Sequence, residues 1–337
     1  MQTALVTGGA GFLGSHLVEE LLHLGYRVIS LDNGSTSNGD NLVSDVTRWA
    51  SRSDNGHVQH FWALSGDVTK PIAPQFLYDV RSLGGKRIDV VYHLASAVSP
   101  SYCDARPLQV IDVIVNGTLN ALKLAKQMDA RFVLASSSEI YGDAQLVPTP
   151  ESYTGNVSPV GPRAPYAEGK RLAETLTEFH RRLELVDAGI ARIFNCYGPR
   201  MRPGDGRVVP AFFEAIRDGR PIVLHGDGRS TRSFCYASDT ARGLIALAES
   251  GLAGPVNIGS GQEVSMLELA EQVYRIIDQE PQFEHVNGTG SYSDDTQRRC
   301  PDLRIARREL GWEPRLTLES GLRRVARHYG FDVELLG

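Results

Sequence analysis

The first two dozen residues constrain this chain most. An aliphatic and β-branched run, Thr3–Val6, breaks into Gly8, Gly11 and Gly14 and leads directly into a helical pattern over Phe12–Leu24. A strand that turns through glycines into a helix uses them for three reasons. The backbone must bend tightly, a pyrophosphate must approach closely, and the helix must pack on the sheet with its N-terminus facing the phosphates. Such spacings arise by accident in a chain with 34 glycines. Placement at a strand–helix junction is what turns them into a dinucleotide-binding signal. Phe12 and Leu13 sit inside the turn and join the three glycines as cofactor-binding candidates.

The same alternation continues. Arg27–Leu31, Ile88–His93, Arg131–Ala135 and Ile190–Phe194 read as strands, and Pro107–Gln127 and Ala164–Val186 as helices. Strands alternating with helices predict an α/β chain with a Rossmann-type, doubly wound parallel sheet covered on both faces. Beyond residue 195 the elements shorten between Gly and Pro, which predicts a smaller C-terminal α/β substrate-binding lobe. Residues 1–195 are expected to form mainly the dinucleotide-binding domain. Residues 196–337 are expected to form mainly the lobe, with segments crossing back.

Asp32 ends the second strand about 20 residues past the glycines, where a carboxylate holds the ribose hydroxyls of NAD and repels the extra phosphate of NADP. The other reading is a turn residue beside Asn33-Gly34. Asp67-Val68 follows the next strand candidate and is placed against the adenine, although aspartate is common in such turns.

Tyr166 and Lys170 are four residues apart near the start of a helix and therefore share a face. An ammonium near a phenol lowers its pKa and makes it a usable base. Only five of the 35 basic residues are lysines (Lys70, Lys86, Lys123, Lys126 and Lys170), so lysine is not this chain's ordinary surface filler. Ser137, after the Arg131–Ala135 strand, is at the carboxyl edge of the sheet, where it can hydrogen-bond the hydroxyl that Tyr166 deprotonates.

Charge and composition narrow the rest. Forty acidic residues against 35 basic ones give a net charge of −5, which argues against coating a nucleic acid or an anionic membrane. No 18-residue apolar run predicts a membrane helix. The N-terminus has no export signal, and the four cysteines form no Cys-x-x-Cys pair or His-Cys cluster. The expectation is a cytoplasmic protein without a disulfide scaffold or metal site.

Longer motifs carry a family resemblance. Tyr92-His93-Leu94-Ala95, Ser137-Ser138-Glu139-Ile140-Tyr141-Gly142 and the block from Gly155 to Arg171 contribute to it. Arg192–Met201, Gly206–Val209, Thr231–Asp239 and Asp294–Asp302 extend it along nearly the whole chain. The chain resembles the UDP-glucuronate decarboxylases (UDP-xylose synthases), a nucleotide-sugar branch of the extended short-chain dehydrogenase/reductases. That resemblance implies NAD as cofactor, contacted also by Leu94 and Ala95, and a UDP-sugar substrate. Ser138, Glu139 and Arg299 would serve around the sugar carboxylate, beside Ser137, Tyr166 and Lys170. Asn195, Arg207, Val208, Arg232 and Tyr236 would hold the nucleotide sugar together with Arg299. A homodimer would form through a four-helix bundle of the Pro107–Gln127 and Ala164–Val186 helices. The chain departs from the family pattern at Thr36-Ser37-Asn38, Ile114, the Ala95–Cys103 loop, His225 and Cys300. A UDP-glucuronate 4-epimerase is the neighbouring alternative; it would use Ser137, Tyr166 and Lys170 without Glu139. Arg106, Arg192, Arg200 and Arg202 receive no role.

Overall fold

A computed structural model describes residues 1–37, 41–42, 60–71, 87–204, 206–286 and 296–335. Asn38, Lys86 and Asp294-Asp295 lie outside the described residues. The first half runs β1 (Thr3–Thr7), α1 (Phe12–His23), β2 (Arg27–Asp32), β3 (Phe61–Ser65), β4 (Val90–His93), α2 (Pro100–Ala105), α3 (Pro107–Met128), β5 (Arg131–Ser137), α4 (Ala164–Arg182) and β6 (Ala188–Ile193). The second half runs β7 (Cys196–Tyr197), α5 (Val208–Arg217), β8 (Ile222–His225), β9 (Thr231–Ser233), β10 (Cys235–Tyr236), α6 (Ala237–Ser250) and β11 (Val256–Ile258). It finishes with β12 (Glu263–Ser265), α7 (Met266–Ile276), β13 (Phe283–Val286), β14 (Arg298–Arg299), α8 (Arg304–Leu310) and α9 (Leu318–His328).

The main sheet has seven strands in the order β11-β6-β5-β4-β1-β2-β3, and every pairing in it is parallel. Its strands are apolar on both faces, as a sheet covered by helices requires. Ala4 and Val6 of β1 enter the core beneath α1 and α6, whereas Leu5 between them enters the core beneath α3 and α4. This is the doubly wound α/β sheet expected from the alternation. The order reverses between β1 and β4, so a crevice opens beyond their carboxyl ends.

The helix expected to reach Val186 ends at Arg182, because the chain reverses through Glu184 at φ 55° to enter β6. That strand starts at Ala188, two residues earlier than its pattern suggests, where Asp187 accepts from Phe132 in β5. After residue 195 the chain builds three small sheets, β10-β7, β12-β9-β14 and β13-β8. They share a separate apolar cluster with α5, α7 and α9. Three later elements return to the main sheet: α6, β11 and α8 all contribute to the core that holds Leu17 and Val28. No described helix is long and apolar enough to cross a membrane.

Candidate active site

A cleft of about 1430 Å³ lies where the order of the main sheet reverses, walled on one side by β1, β2, β4 and β5 and on the other by the C-terminal lobe. Its floor is the glycine turn. Gly8 sits at φ 72°, and a Cβ there would meet the Ala95 nitrogen at 2.8 Å, so glycine is what allows the turns after β1 and β4 to touch. A Cβ on Gly14 would run into the Gly8 carbonyl. Gly11 caps α1 without a side-chain hydrogen bond, and the first helical turn carries no acid. The result is an open helix N-terminus suited to a phosphate anion.

Asp32 combines its two readings. One carboxylate oxygen accepts from Ala10 N at 3.0 Å and the other from Gly34 N at 2.8 Å, which fixes the glycine turn and the turn after β2. The residue also lines the cleft, as do Phe12, Leu13, Asn33, Val68, Leu94 and Ala95. Asp67 does not line it; its carboxylate accepts from Thr69 N at 2.9 Å and is bonded by Asn33. Asp67 is therefore a turn-forming residue, and Val68 is the cleft-facing member of the pair.

At the centre, Ser137 ends β5 and Tyr166 and Lys170 face it from the first turns of α4. The Ser137 hydroxyl lies beside the Tyr166 phenol in the cleft and favours its ionised form. Burial pushes that phenol well above its usual value, and Ser137 pulls it partly back. Lys170 was expected to lower it directly. Its Nζ is instead 5.8 Å from the Tyr166 ring centroid and donates to the Ala135 carbonyl at 2.8 Å. Burial lowers Lys170 to about 8.

Ser138 and Glu139 follow in a single 3-10 turn capped by Ser137, whose hydroxyl accepts from Glu139 N at 3.2 Å. Burial alone raises the Glu139 carboxyl, but Arg299 and Arg163 override it and hold the group at about 2. Arg299 Nη1 donates to Oε1 at 2.7 Å, and Arg163 Nη2 is 3.4 Å from the same oxygen. Arg299 Nε is buried with no partner among the described residues.

Arg163 is the residue sequence reasoning missed. It lies three positions before Tyr166, and its carbonyl also accepts from Tyr166 N at 3.2 Å and Ala167 N at 3.0 Å. Its place in the Gly155–Arg171 block was the available signal. Among the described residues, the cleft is lined by seven arginines and Lys170 but only two carboxylates, Asp32 and Glu139. A chain of net charge −5 thus encloses a positive site.

Asn195, Arg207, Val208 and Arg232 all line the cleft. The Arg207 guanidinium lies 5.2 Å over the Phe12 ring, so the lobe touches the glycine turn there. Tyr236 is not among the lining residues; its ring packs edge-on behind the cleft-lining Tyr197 at 5.6 Å and against His16 at 6.5 Å. Arg200 and Arg202 reach the cleft, whereas Arg192 is buried in a fork with Glu174 behind it.

A serine, tyrosine and lysine at the carboxyl edge of a dinucleotide-binding sheet define an oxidoreductase-type site of the short-chain dehydrogenase class. Residues 4–259 match the NAD dependent epimerase/dehydratase family, and the chain belongs to it. NAD is its cofactor, and the glycine turn, the open start of α1 and Asp32 fit that group. The chain is 43% identical over 321 residues to UDP-glucuronic acid decarboxylase 1 of Arabidopsis thaliana, covering 95% of this chain and 68% of the relative. It is 39% identical over 330 residues to UDP-glucuronic acid decarboxylase 1 of Xenopus tropicalis, covering 98% and 72%. Among solved structures, the UDP-glucuronic acid 4-epimerase of Bacillus cereus, in complex with UDP-glucuronic acid and NAD, matches with a TM-score of 0.81. It is 25% identical and covers 97% of this chain and 99% of that one.

Proposed function

We propose that this chain is a UDP-glucuronate decarboxylase that uses NAD, acting through a UDP-4-keto-hexuronate to give UDP-xylose, the UDP-4-keto-pentose, or both. The carrying observation is Glu139, held ionised between Arg163 and Arg299 in the same cleft as Ser137, Tyr166 and Lys170. When bound, NAD would supply the acceptor for the C4 hydride and a positive ring that favours the phenolate of Tyr166.

Tyr166 takes the proton from the C4 hydroxyl, which Ser137 holds by hydrogen bonding. Oxidation leaves a ketone at C4, so the C6 carboxylate is β to a carbonyl. The C5–C6 bond then breaks with its electron pair passing to the C4 oxygen, and CO₂ departs. Ser137, protonated Tyr166 and Lys170 stabilise that enolate oxygen. Arg299 orients the carboxylate before cleavage, or the water that returns a proton to C5, through its planar fork. Glu139 steers the carboxylate through the guanidiniums it shares. Return of the C4 hydride held by the cofactor, with the Tyr166 proton passing to the C4 oxygen, would give the pentose. A 4-epimerase of the same substrate uses the serine, tyrosine and lysine alone; the Glu139 cluster is what favours loss of carbon.

Asn195, Arg207, Val208 and Arg232 are assigned to the nucleotide diphosphate end. The substrate carries a diphosphate as well as a carboxylate, which the cleft's excess of arginine suits.

The chain is further read as a homodimer. Leu108 and Ile111 on α3, and Leu172, Phe179 and Leu183 on α4 and its end, are exposed apolar side chains. Leu108 is 80% exposed and Phe179 53%, so these faces lack cover within one chain. Two such pairs of helices make a four-helix bundle. The cytoplasm is the compartment that suits four free cysteines.

Incubation with UDP-glucuronate and NAD, followed by mass analysis of the nucleotide sugar, tests the reading. A product one carbon shorter is expected. Retention of all six sugar carbons overturns it.

A further inference from the structure

The end of β5 is tied to α4 by two hydrogen bonds beside the Ser137–Tyr166 pair. The Ala135 carbonyl accepts from Lys170 at 2.8 Å. Ser136, the next residue, donates from Oγ to Glu174 Oε1 at 2.6 Å. Tyr166, Lys170 and Glu174 are spaced i, i+4, i+8 and thus occupy one helix face. Glu174 also receives a guanidinium fork from β6. Arg192 Nε donates to Oε1 at 3.0 Å and Nη2 to Oε2 at 2.8 Å. Arg192 Nη1 in turn donates to the Tyr141 hydroxyl at 2.9 Å and the Glu151 carbonyl at 2.7 Å.

We propose that Glu174 is a positioning residue for the reaction: it fixes the Ser136-Ser137 strand end against α4 and supplies the negative charge that keeps Lys170 an ammonium. This rests on the proposed use of Ser137, Tyr166 and Lys170. The carboxylate does not line the cleft; it acts through Ser136 and across one helical turn on Lys170.

The groups facing Lys170 support this assignment. From its own helix come Tyr166 and Glu174, and from β5 the Ala135 carbonyl. From β4 comes His93, which burial and then Lys170 lower to about 3, so it is neutral at ordinary pH. Arg192 of β6 lies beyond Glu174 and is paired to it. The only anion in this set is Glu174, and its charge favours the protonated lysine against burial.

The scarcity of lysine makes the test direct. Full-length chain labelled with ¹³C-lysine gives five Cε resonances, one for each lysine. Loss of one signal in Lys170→Met assigns it. Its midpoint in the wild type is compared with Glu174→Gln, which keeps the shape and removes the charge, and with Glu174→Asp, which keeps the charge and shortens the reach. In Glu174→Gln the Lys170 midpoint is expected to fall by roughly half a pH unit or more. The alkaline limb of turnover on UDP-glucuronate should move the same way. Glu174→Asp is expected to keep the wild-type midpoint while kcat falls.

A wild-type Lys170 midpoint in Glu174→Gln overturns the inference, as does an equal shift in Glu174→Asp. If Glu174→Gln does not fold, a shifted midpoint in Glu174→Asp alone overturns it and an unshifted one with lower kcat supports it. The titration needs no substrate, so its failure is separate from failure of the proposed function, which shows as six retained carbons in the wild-type product.

Discussion

Arg299 Nη1 meets Glu139 Oε1 at 2.7 Å across 160 positions of sequence. The contact joins β14 of the lobe to the turn after β5, so the two halves of the chain meet at the proposed point of carbon loss. Replacing Arg299 by Met leaves Glu139 with Arg163 alone and removes the fork that orients the carboxylate. Turnover should fall by about 10²–10⁴-fold, the usual scale for a lost acid–base or charge-stabilising group. Release of CO₂ from carboxyl-labelled substrate measures it. A variant within a few-fold of wild type would remove Arg299 from the mechanism.

Glu139 also gives stability a pH signature. Burial raises its carboxyl, but Arg299 and Arg163 outweigh burial and depress it from 4.5 to about 2. A depressed carboxyl binds fewer protons folded than unfolded, so its contribution is present above pH 4.5 and lost as pH falls toward 2. The melting-temperature gap between wild type and Glu139→Gln should be widest above pH 4.5 and narrow below it. A gap that stays constant down to pH 3 or about that value contradicts the assignment.

The glycine turn predicts a steric effect. In Gly14→Ala the new methyl meets the Gly8 carbonyl and lies 2.8 Å from Gly9 Cα, so backbone must move. Overpacking of this kind costs about 1–3 kcal/mol. Here it distorts the phosphate-facing turn as well. Calorimetric titration should show weaker NAD binding together with a lower melting temperature. Unchanged NAD affinity would mean that the turn does not hold the pyrophosphate.

The central sheet was readable because both faces of its strands are apolar and glycine marks its first crossover. Local placement was readable too: Tyr166 and Lys170 share one face of α4, as their spacing implies, and line the cleft with Ser137. What failed was direction. Asp67 and Tyr236 lie beside cleft elements in sequence, yet Asp67 bonds its own turn and Tyr236 packs into the aromatic core of the lobe. Neither motif position nor residue type reports which way a side chain faces. Arg163 was missed for the converse reason. Its partner Glu139 lies 24 positions away on another element, and an arginine among 30 has no local mark of being paired. The end of α4 was overrun because the positive φ of Glu184 lacks the glycine that normally signals it.

The last prediction concerns the outer faces of α3 and α4. Leu172 is 44% exposed and Phe179 53%, on a helix whose opposite face carries Tyr166 and Lys170. Burying such side chains in a bundle contributes about 1.5–3 kcal/mol each, and a glutamate in either place would meet an apolar partner face without a counter-charge. Light scattering at micromolar concentration should give twice the chain mass for wild type and a single chain mass for Leu172→Glu/Phe179→Glu. Because α4 also supports Lys170 and Tyr166 from its inner face, the separated variant should melt earlier while still binding NAD. A monomeric wild type, or a dimer undisturbed by both charges, would rule out this pairing of helices.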